Sequence, residues 1–403
     1  MISFFDIAHC PVIHSRAIMS DAEQTLRNIL DKELDERGLK PRDVTIKAIS
    51  SGGANYTSSL FLVDVKSPKE DLKLFAKVAN STGAIRDIAE GWMYKTERLV
   101  YTKIAKLYED LQVQIPEEEK LKFPKFYGCN NVSGKETVVM ENLLASGYNP
   151  FNRLKSLDWQ HGSASVEYLA KFHALSFALA KNSPEEFEKL SHMKYEIGNQ
   201  EFDEETMGAI WKKIMNNMLE VIKDDQKEKV LKYFESMPTM NTYTKPIGKP
   251  VLCHGDFRSS NILFKTTDDK VQAIAVDFQT VYAGCPATDL VYLIFLGSDE
   301  EFRAEYYEKL LDHYYNSLSK MMEWLSIDST EVYPREEFDR DMKENLPYAI
   351  LIGATILPTV VVEEDAAPEL GNFDYNQFVI SPNEIFAKRF RGIVNDCIRW
   401  NVI

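Results

Sequence analysis

The chain has few cysteines, and none of them stand in a C-x-x-C pair. Cys10, Cys129, Cys253, Cys285 and Cys397 are odd in number and far apart. That scatter predicts neither a disulfide framework nor a zinc site, and it fits a reducing compartment. No apolar run approaches the roughly 20 residues of a membrane-spanning helix, so no membrane insertion is expected. Positive charge is short as well: 47 Lys and Arg face 62 Asp and Glu, for a net charge of −15. A nucleic-acid partner needs a basic face and is disfavoured. There is no internal repeat, no low-complexity linker, no G-x-G-x-x-G and no Walker loop. The start, MISFFDIAHCPVIHSR, lacks a basic leading segment, and Asp6, His9 and Pro11 break its apolar run. A secretory signal is therefore not expected, and the expected location is cytoplasmic.

What is present is ordinary in amount and specific in pattern. The 403 residues, 44% hydrophobic and 27% charged, give room for two or three domains or lobes. The informative stretch is Val251–Gln279, VLCHGDFRSSNILFK followed by VQAIAVDFQ after a short polar turn. Its apolar runs, Val251–Cys253, Ile262–Phe264 and Val271–Val276, are β-like and bounded by polar residues. His254, Asp256 and Asn261 fall on the loop between the first two, and Asp277 falls at the end of the third. Phosphoryl transfer uses such a set: a carboxylate to take a hydroxyl proton, and an amide and a second carboxylate to hold Mg²⁺ on the phosphates. Asp256 is the candidate base. Asn261 and Asp277 are the candidate Mg²⁺ ligands, through hard oxygens. His254 is expected to hydrogen-bond the loop. Arg258, two residues after the base, is read either as a stabiliser of transition-state charge or as a surface arginine. Asp289 either caps the apolar helix that follows or hydrogen-bonds the catalytic loop.

Upstream, Asp21–Arg37 has helical spacing, and Gly38 ends it. Val44–Ile49, Leu60–Val65 and Leu72–Val78 read as strands with turn chemistry between them. Ile85–Leu107 reads as one long helix, and Lys125–Cys129 and Thr137–Glu141 as further strands. Beyond Leu143 the pattern is mainly helical: Trp159–Lys181, Glu205–Phe234, Glu300–Leu325 and Arg335–Leu351. Ser183-Pro184 and Ser381-Pro382 look like helix starts with a serine cap. The expected fold class is α+β: a small antiparallel-sheet lobe (21–141) with one long helix, after an arm (1–20), then a connection (142–147) and a larger, mainly helical lobe (148–403).

Lys77 lies between Ala76 and Val78 in a strand of buried type, so its ammonium needs an anionic partner. Glu90 and Glu97 of the next helix share a face. Glu97 is preferred, because Met93, Val100 and Ile104 turn it inward. Ser50–Ser59 is a candidate phosphate loop: Gly52 and Gly53 allow close backbone approach, and Asn55, Thr57 and Ser58 add donors. A plain hairpin is the alternative. Adenine would be read by main-chain groups around Met140, Glu141 and Leu143. Phe75 shares a face with Lys77 and lies either over the adenine or in the core.

The segments FAKV, VMENL, LAKFHALSFAL, HGDFRSSNILF, VDFQ and GCPATDLVYL resemble, in order, the aminoglycoside phosphotransferase and choline kinase branch of the protein-kinase-like fold. The chain is most similar to the insect ecdysteroid kinase-like, or CHK kinase-like, family. The resemblance implies a bilobal kinase fold, ATP and Mg²⁺, and transfer to a hydroxyl of a small molecule. Ecdysteroids, and xenobiotics such as glycosides, are the acceptors it suggests. Choline or ethanolamine is a second possibility, and an inactive binding module of the same fold a third. Gln279 stands where protein kinases have the glycine of D-F-G, which fits the small-molecule branch. Val361–Phe378, with its aromatics, is read either as a loop that closes over an apolar acceptor or as one that those aromatics pin to the lobe.

Overall fold

The computed structural model describes residues 20–49, 58–79, 92–192, 204–237, 242–268, 270–363 and 379–403. The arm, Gly52, Gly53, Asn55, Glu90 and nearly all of the late aromatic segment lie outside them. Residues 20–141 build a five-stranded antiparallel sheet in the order β1-β2-β3-β5-β4. The strands are β1 (Asp43–Ile49), β2 (Ser58–Lys66), β3 (Leu72–Ala79), β4 (Phe126–Asn130) and β5 (Thr137–Glu141). Alternation along β3 divides its side chains between two cores. Leu72, Leu74, Ala76 and Val78 face the helix Asp21–Glu36, with its buried Leu26, Leu30 and Leu34. Phe75 faces the other way, into the core shared with the rest of the chain. Lys77 follows Phe75 on that second face and sits opposite Leu60 of β2 and Val138 of β5.

The expected long helix is not one regular α-helix. Its described part runs Trp92–Leu99, widens into a π turn at Val100–Ile104, and resumes at Ala105–Leu111. Such turns gather at functional sites, and this one carries Tyr101.

After β5 the chain is mainly helical. Helix Trp159–Asn182 is buried along most of its length. Beside it lie two short ladders, β6 (Asn149–Pro150) with β8 (Ile262–Thr267) and β9 (Lys270–Ala275), and β7 (Val251–Cys253) with β10 (Tyr282–Gly284). Together these elements make a bilobal protein-kinase-like fold of the α+β class. No helix among the described residues is long and apolar enough to cross a membrane.

Several helix boundaries depart from the sequence reading. Glu205–Phe234 is two helices, Glu204–Val221 and Asp224–Ser236. Arg335–Leu351 is also two, Arg335–Asn345 and Tyr348–Thr355, parted at Pro347, which supplies no N–H to the ladder. Ser183 occupies its cap position without a side-chain hydrogen bond. The C-terminal helix, Glu384–Arg399, is capped by Asn383 and not by Ser381: Asn383 Oδ1 accepts from the Phe386 N–H at 2.8 Å. Asn383→Ala is therefore expected to cost about 1 kcal/mol of stability, read from urea unfolding. An unchanged midpoint would contradict the cap.

Candidate active site

The core of the site is a buried ion cluster contributed by both lobes. Lys77 Nζ donates to Glu97 Oε1 at 2.9 Å and to Asp277 Oδ1 at 2.5 Å. Their side chains are 2%, 0% and 3% exposed, so none of these charges is solvated by bulk water. Burial pulls the ammonium down, but Asp277 and Glu97 more than offset that and hold it above the usual lysine range. A fixed cation between two carboxylates, taken from water, is costly without good geometry. Gln279 improves that geometry by donating to Glu97 Oε2 at 3.2 Å.

Backbone shape sets the two catalytic loops. Asp277 adopts a left-handed conformation, φ 67° and ψ 53°, two residues after β9, a strained choice for a side-chain-bearing residue. Gly255 has φ +81°, and a Cβ there would lie 2.3 Å from the Thr280 carbonyl oxygen. Glycine alone lets the two loops pass this closely. Asp289 ties the first loop down: its carboxylate accepts from the N–H of His254 at 2.6 Å and of Gly255 at 2.9 Å. Of the two readings for Asp289, the loop anchor is the one seen; Cys285 holds the cap position of that helix.

Burial keeps His254 below its ordinary pKa, hence neutral near pH 7. One ring nitrogen donates to the Val276 carbonyl at 3.1 Å. The other faces the Asp256 N–H at 3.4 Å, and Phe278 packs on the ring at 4.8 Å. Phe278 in turn meets Tyr101 of the π turn edge-on at 5.9 Å. These rings join the helix that carries Glu97 and Tyr101 to the loop that carries Asp256, and His254 serves as part of that column.

Asp256 is buried and held from several sides. Asn261 Nδ2 donates to its Oδ2 at 2.9 Å, Tyr292 O–H donates to its Oδ1 at 2.8 Å, and Arg258 Nε lies 3.3 Å from Oδ1. Arg258 is itself buried, which removes the surface-arginine reading. Asn261 Oδ1 is buried with no hydrogen-bond partner among the described residues. An orphaned amide oxygen beside the Asp277 carboxylate loop is a donor set that suits a hard cation such as Mg²⁺.

An apolar slot adjoins the cluster. Phe75, Met140, Leu143, Leu144, Pro150 and Leu263 line it, with Glu141 and Asn142 at its edge. The Glu141 carboxylate is occupied, accepting from the Lys125 N–H at 3.0 Å, and the Glu141 N–H donates to the Lys125 carbonyl at 2.8 Å. Ser58 Oγ is bonded to the Tyr94 hydroxyl at 2.9 Å. Sequence reasoning missed Pro150, Leu263 and Tyr292.

The four described cysteines, Cys129, Cys253, Cys285 and Cys397, are free. Cys253 does approach His173 and Asp289, their ligand atoms lying within 4.8 Å of one another. Hydrogen bonds occupy these groups: His173 with Tyr314 and Asp289, and the Cys253 thiol with the Cys285 carbonyl.

The family model of the ecdysteroid kinase-like family matches residues 52–327. An uncharacterized kinase-like protein of Caenorhabditis elegans is 36% identical over 72 residues, 18% of this chain. The chain spans only 19% of that relative's length. Among solved structures, a Plasmodium vivax ethanolamine kinase has a TM-score of 0.43 at 14% identity, covering 96% of this chain and 92% of its own. A microcompartment-associated aminopropanol kinase has a TM-score of 0.39 at 9% identity, covering 92% of this chain and 97% of its own. The family match takes in strands β2 to β5, the ion cluster and the loops that carry Asp256 and Asp277, well over half of the molecule: the chain belongs to the ecdysteroid kinase-like family.

Proposed function

We propose that the protein moves the γ-phosphoryl group of ATP to a hydroxyl of a bulky, largely apolar acceptor such as an ecdysteroid. The observation that carries the phosphotransferase chemistry is the convergence of Lys77, Glu97, Asp256, Asn261 and Asp277 beside an apolar slot. The slot receives the adenine, with Phe75 and Leu263 as walls and the Met140–Leu143 main chain at its edge. Lys77, fixed by Glu97, meets the phosphates. Asn261 Oδ1 and Asp277 hold Mg²⁺, which neutralises phosphate charge when bound. Gly52, Gly53, Asn55 and Ser58 are assigned to covering the phosphates.

Asp256 orients the acceptor hydroxyl and takes its proton as the new O–P bond forms. The bond from the γ-phosphorus to the β–γ bridging oxygen breaks, and ADP leaves with that electron pair. Arg258, buried against Asp256, adds positive charge next to the transferring group. A cytosolic setting supplies ATP and keeps the free cysteines reduced.

The acceptor follows from the family, and it is tested by competition among alcohols. Purified protein with Mg²⁺ and ATP is offered a polyhydroxylated steroid, a phenolic glucoside, choline and ethanolamine, and products are read by mass spectrometry. The expected result is a phosphorylated steroid and at least about tenfold lower kcat/KM for choline, which corresponds to some 1.4 kcal/mol of discrimination. Phosphocholine or phosphoethanolamine with no steroid product would replace this acceptor by a compact amino alcohol. Mg·ATP binding with no transfer to any alcohol would favour a binding module.

A further inference from the structure

We propose that Tyr292 is a positioning residue for the acceptor-activating carboxylate. Its hydroxyl fixes the rotation of Asp256 and so decides which lone pair meets the acceptor. This rests on the reading of Asp256 as the proton acceptor. Tyr292 belongs to the helix Pro286–Gly297, three residues after Asp289, so the two side chains leave the same helix face. Asp289 holds the main chain of the catalytic loop at His254 and Gly255. Tyr292 holds the side chain of the next residue, donating to Asp256 Oδ1 at 2.8 Å. One buried helix therefore fixes both the backbone and the carboxylate of the loop.

The remaining contacts of Asp256 leave Tyr292 a distinct task. Asn261 grips Oδ2, and the amide of Asn261 is also tied to the Asp256 carbonyl. Arg258 Nε stands 3.3 Å from Oδ1 and forms no hydrogen bond there. The Tyr292 hydroxyl is thus the directional contact to Oδ1. A carboxylate oxygen accepts at two positions, so one remains for the acceptor proton. A buried tyrosine hydroxyl needs a partner, and a carboxylate gives the stronger, charge-assisted bond. The ring is steadied from outside by Tyr348, its centroid 6.4 Å away, and Tyr348 is backed by Tyr243 at 5.2 Å. The hydroxyl is held in place by this column and by the helix.

The test compares Tyr292→Phe and Tyr292→Leu with wild type in steady-state turnover, Mg·ATP binding by calorimetry, and thermal unfolding. Tyr292→Phe keeps the ring and loses one hydroxyl. It is expected to lower kcat by about 10- to 100-fold, the scale of a misplaced reacting group, while the Kd for Mg·ATP stays within about twofold. Tyr292→Leu is expected to fall at least as far. A structure of Tyr292→Phe is expected to show the Asp256 carboxylate rotated. If wild type phosphorylates no alcohol, the same ratio is read from ADP formation with water in the acceptor's place, and the acceptor reading alone has failed. Turnover of Tyr292→Phe within twofold of wild type overturns the positioning role with either acceptor. Equal losses in kcat and Mg·ATP affinity would also overturn it, since they mark general damage to the site.

Discussion

Asp256→Asn is expected to reduce phosphoryl transfer by about 10²- to 10⁴-fold, the span that a positioned general base supplies. The amide matches the carboxylate in shape and cannot take up a proton at neutral pH. It also brings its own N–H₂ group into a site where Tyr292 and Asn261 both donate. One of those donors then loses its acceptor, and the side chain settles in a new rotation. Among the described residues Asp256 makes no hydrogen bond or ion pair with Lys77 and does not line the apolar slot, so Mg·ATP affinity is expected to stay near wild type. Calorimetry and single-turnover transfer, run on the same preparation, separate the two quantities. Near-wild-type transfer by this variant would remove Asp256 from the base role.

The second large effect is expected from Lys77→Met, and it reaches stability as well as turnover. Lys77 is the cation that Glu97 and Asp277 share, at 2.9 and 2.5 Å. Without it two buried carboxylates face each other with no counter-charge. Breaking such an arrangement costs on the order of 3–5 kcal/mol. Turnover is expected to fall at least about 10²-fold, because the phosphates lose a fixed positive charge in a site of low dielectric. Mg·ATP is expected to raise the unfolding temperature of this variant less than that of wild type, since the phosphates have lost one fixed cation and bind more weakly. A variant that melts with wild type and keeps its turnover would place Lys77 outside the machinery.

Much of this arrangement was legible in the sequence, and the reasons are physical. Strands β1 to β5 carry strong alternation and turn residues, and only their ends shifted. Glu97 could be chosen over Glu90 because Met93, Val100 and Ile104 mark the inward side of its helix. The structure puts Glu97 against Lys77; Glu90 lies outside the described residues. Asp289 was open between a cap and a loop anchor, because sequence spacing alone does not show how a helix meets a distant loop.

Tyr292 was invisible for a different reason. Its helix, PATDLVYLIFLG, is buried on every side, so periodicity gives no inward face to read. The π turn at Val100–Ile104 also leaves no sequence mark, because it adds a residue to a turn without a proline or glycine to announce it. The split at Pro347 was readable in principle, and apolar spacing outweighed it. Ser183 and Ser381 show the limit of cap motifs: the serine–proline pair marks a helix start, but the hydrogen bond depends on which residue turns outward. Asn383, two residues after Ser381, supplies that bond for the last helix.

In the proposed mechanism a buried Asp256, set beside the Lys77–Asp277 cluster, delivers an alcohol to the γ-phosphorus of ATP. One measurement meets it directly: single-turnover transfer from ATP labelled in the γ-phosphoryl group, with Mg²⁺ and a polyhydroxylated steroid, in wild type and Asp256→Asn. Label bound covalently to the steroid is expected with wild type, and bound ATP without transfer in the variant. Label appearing on the steroid at equal rates with both proteins would contradict this mechanism.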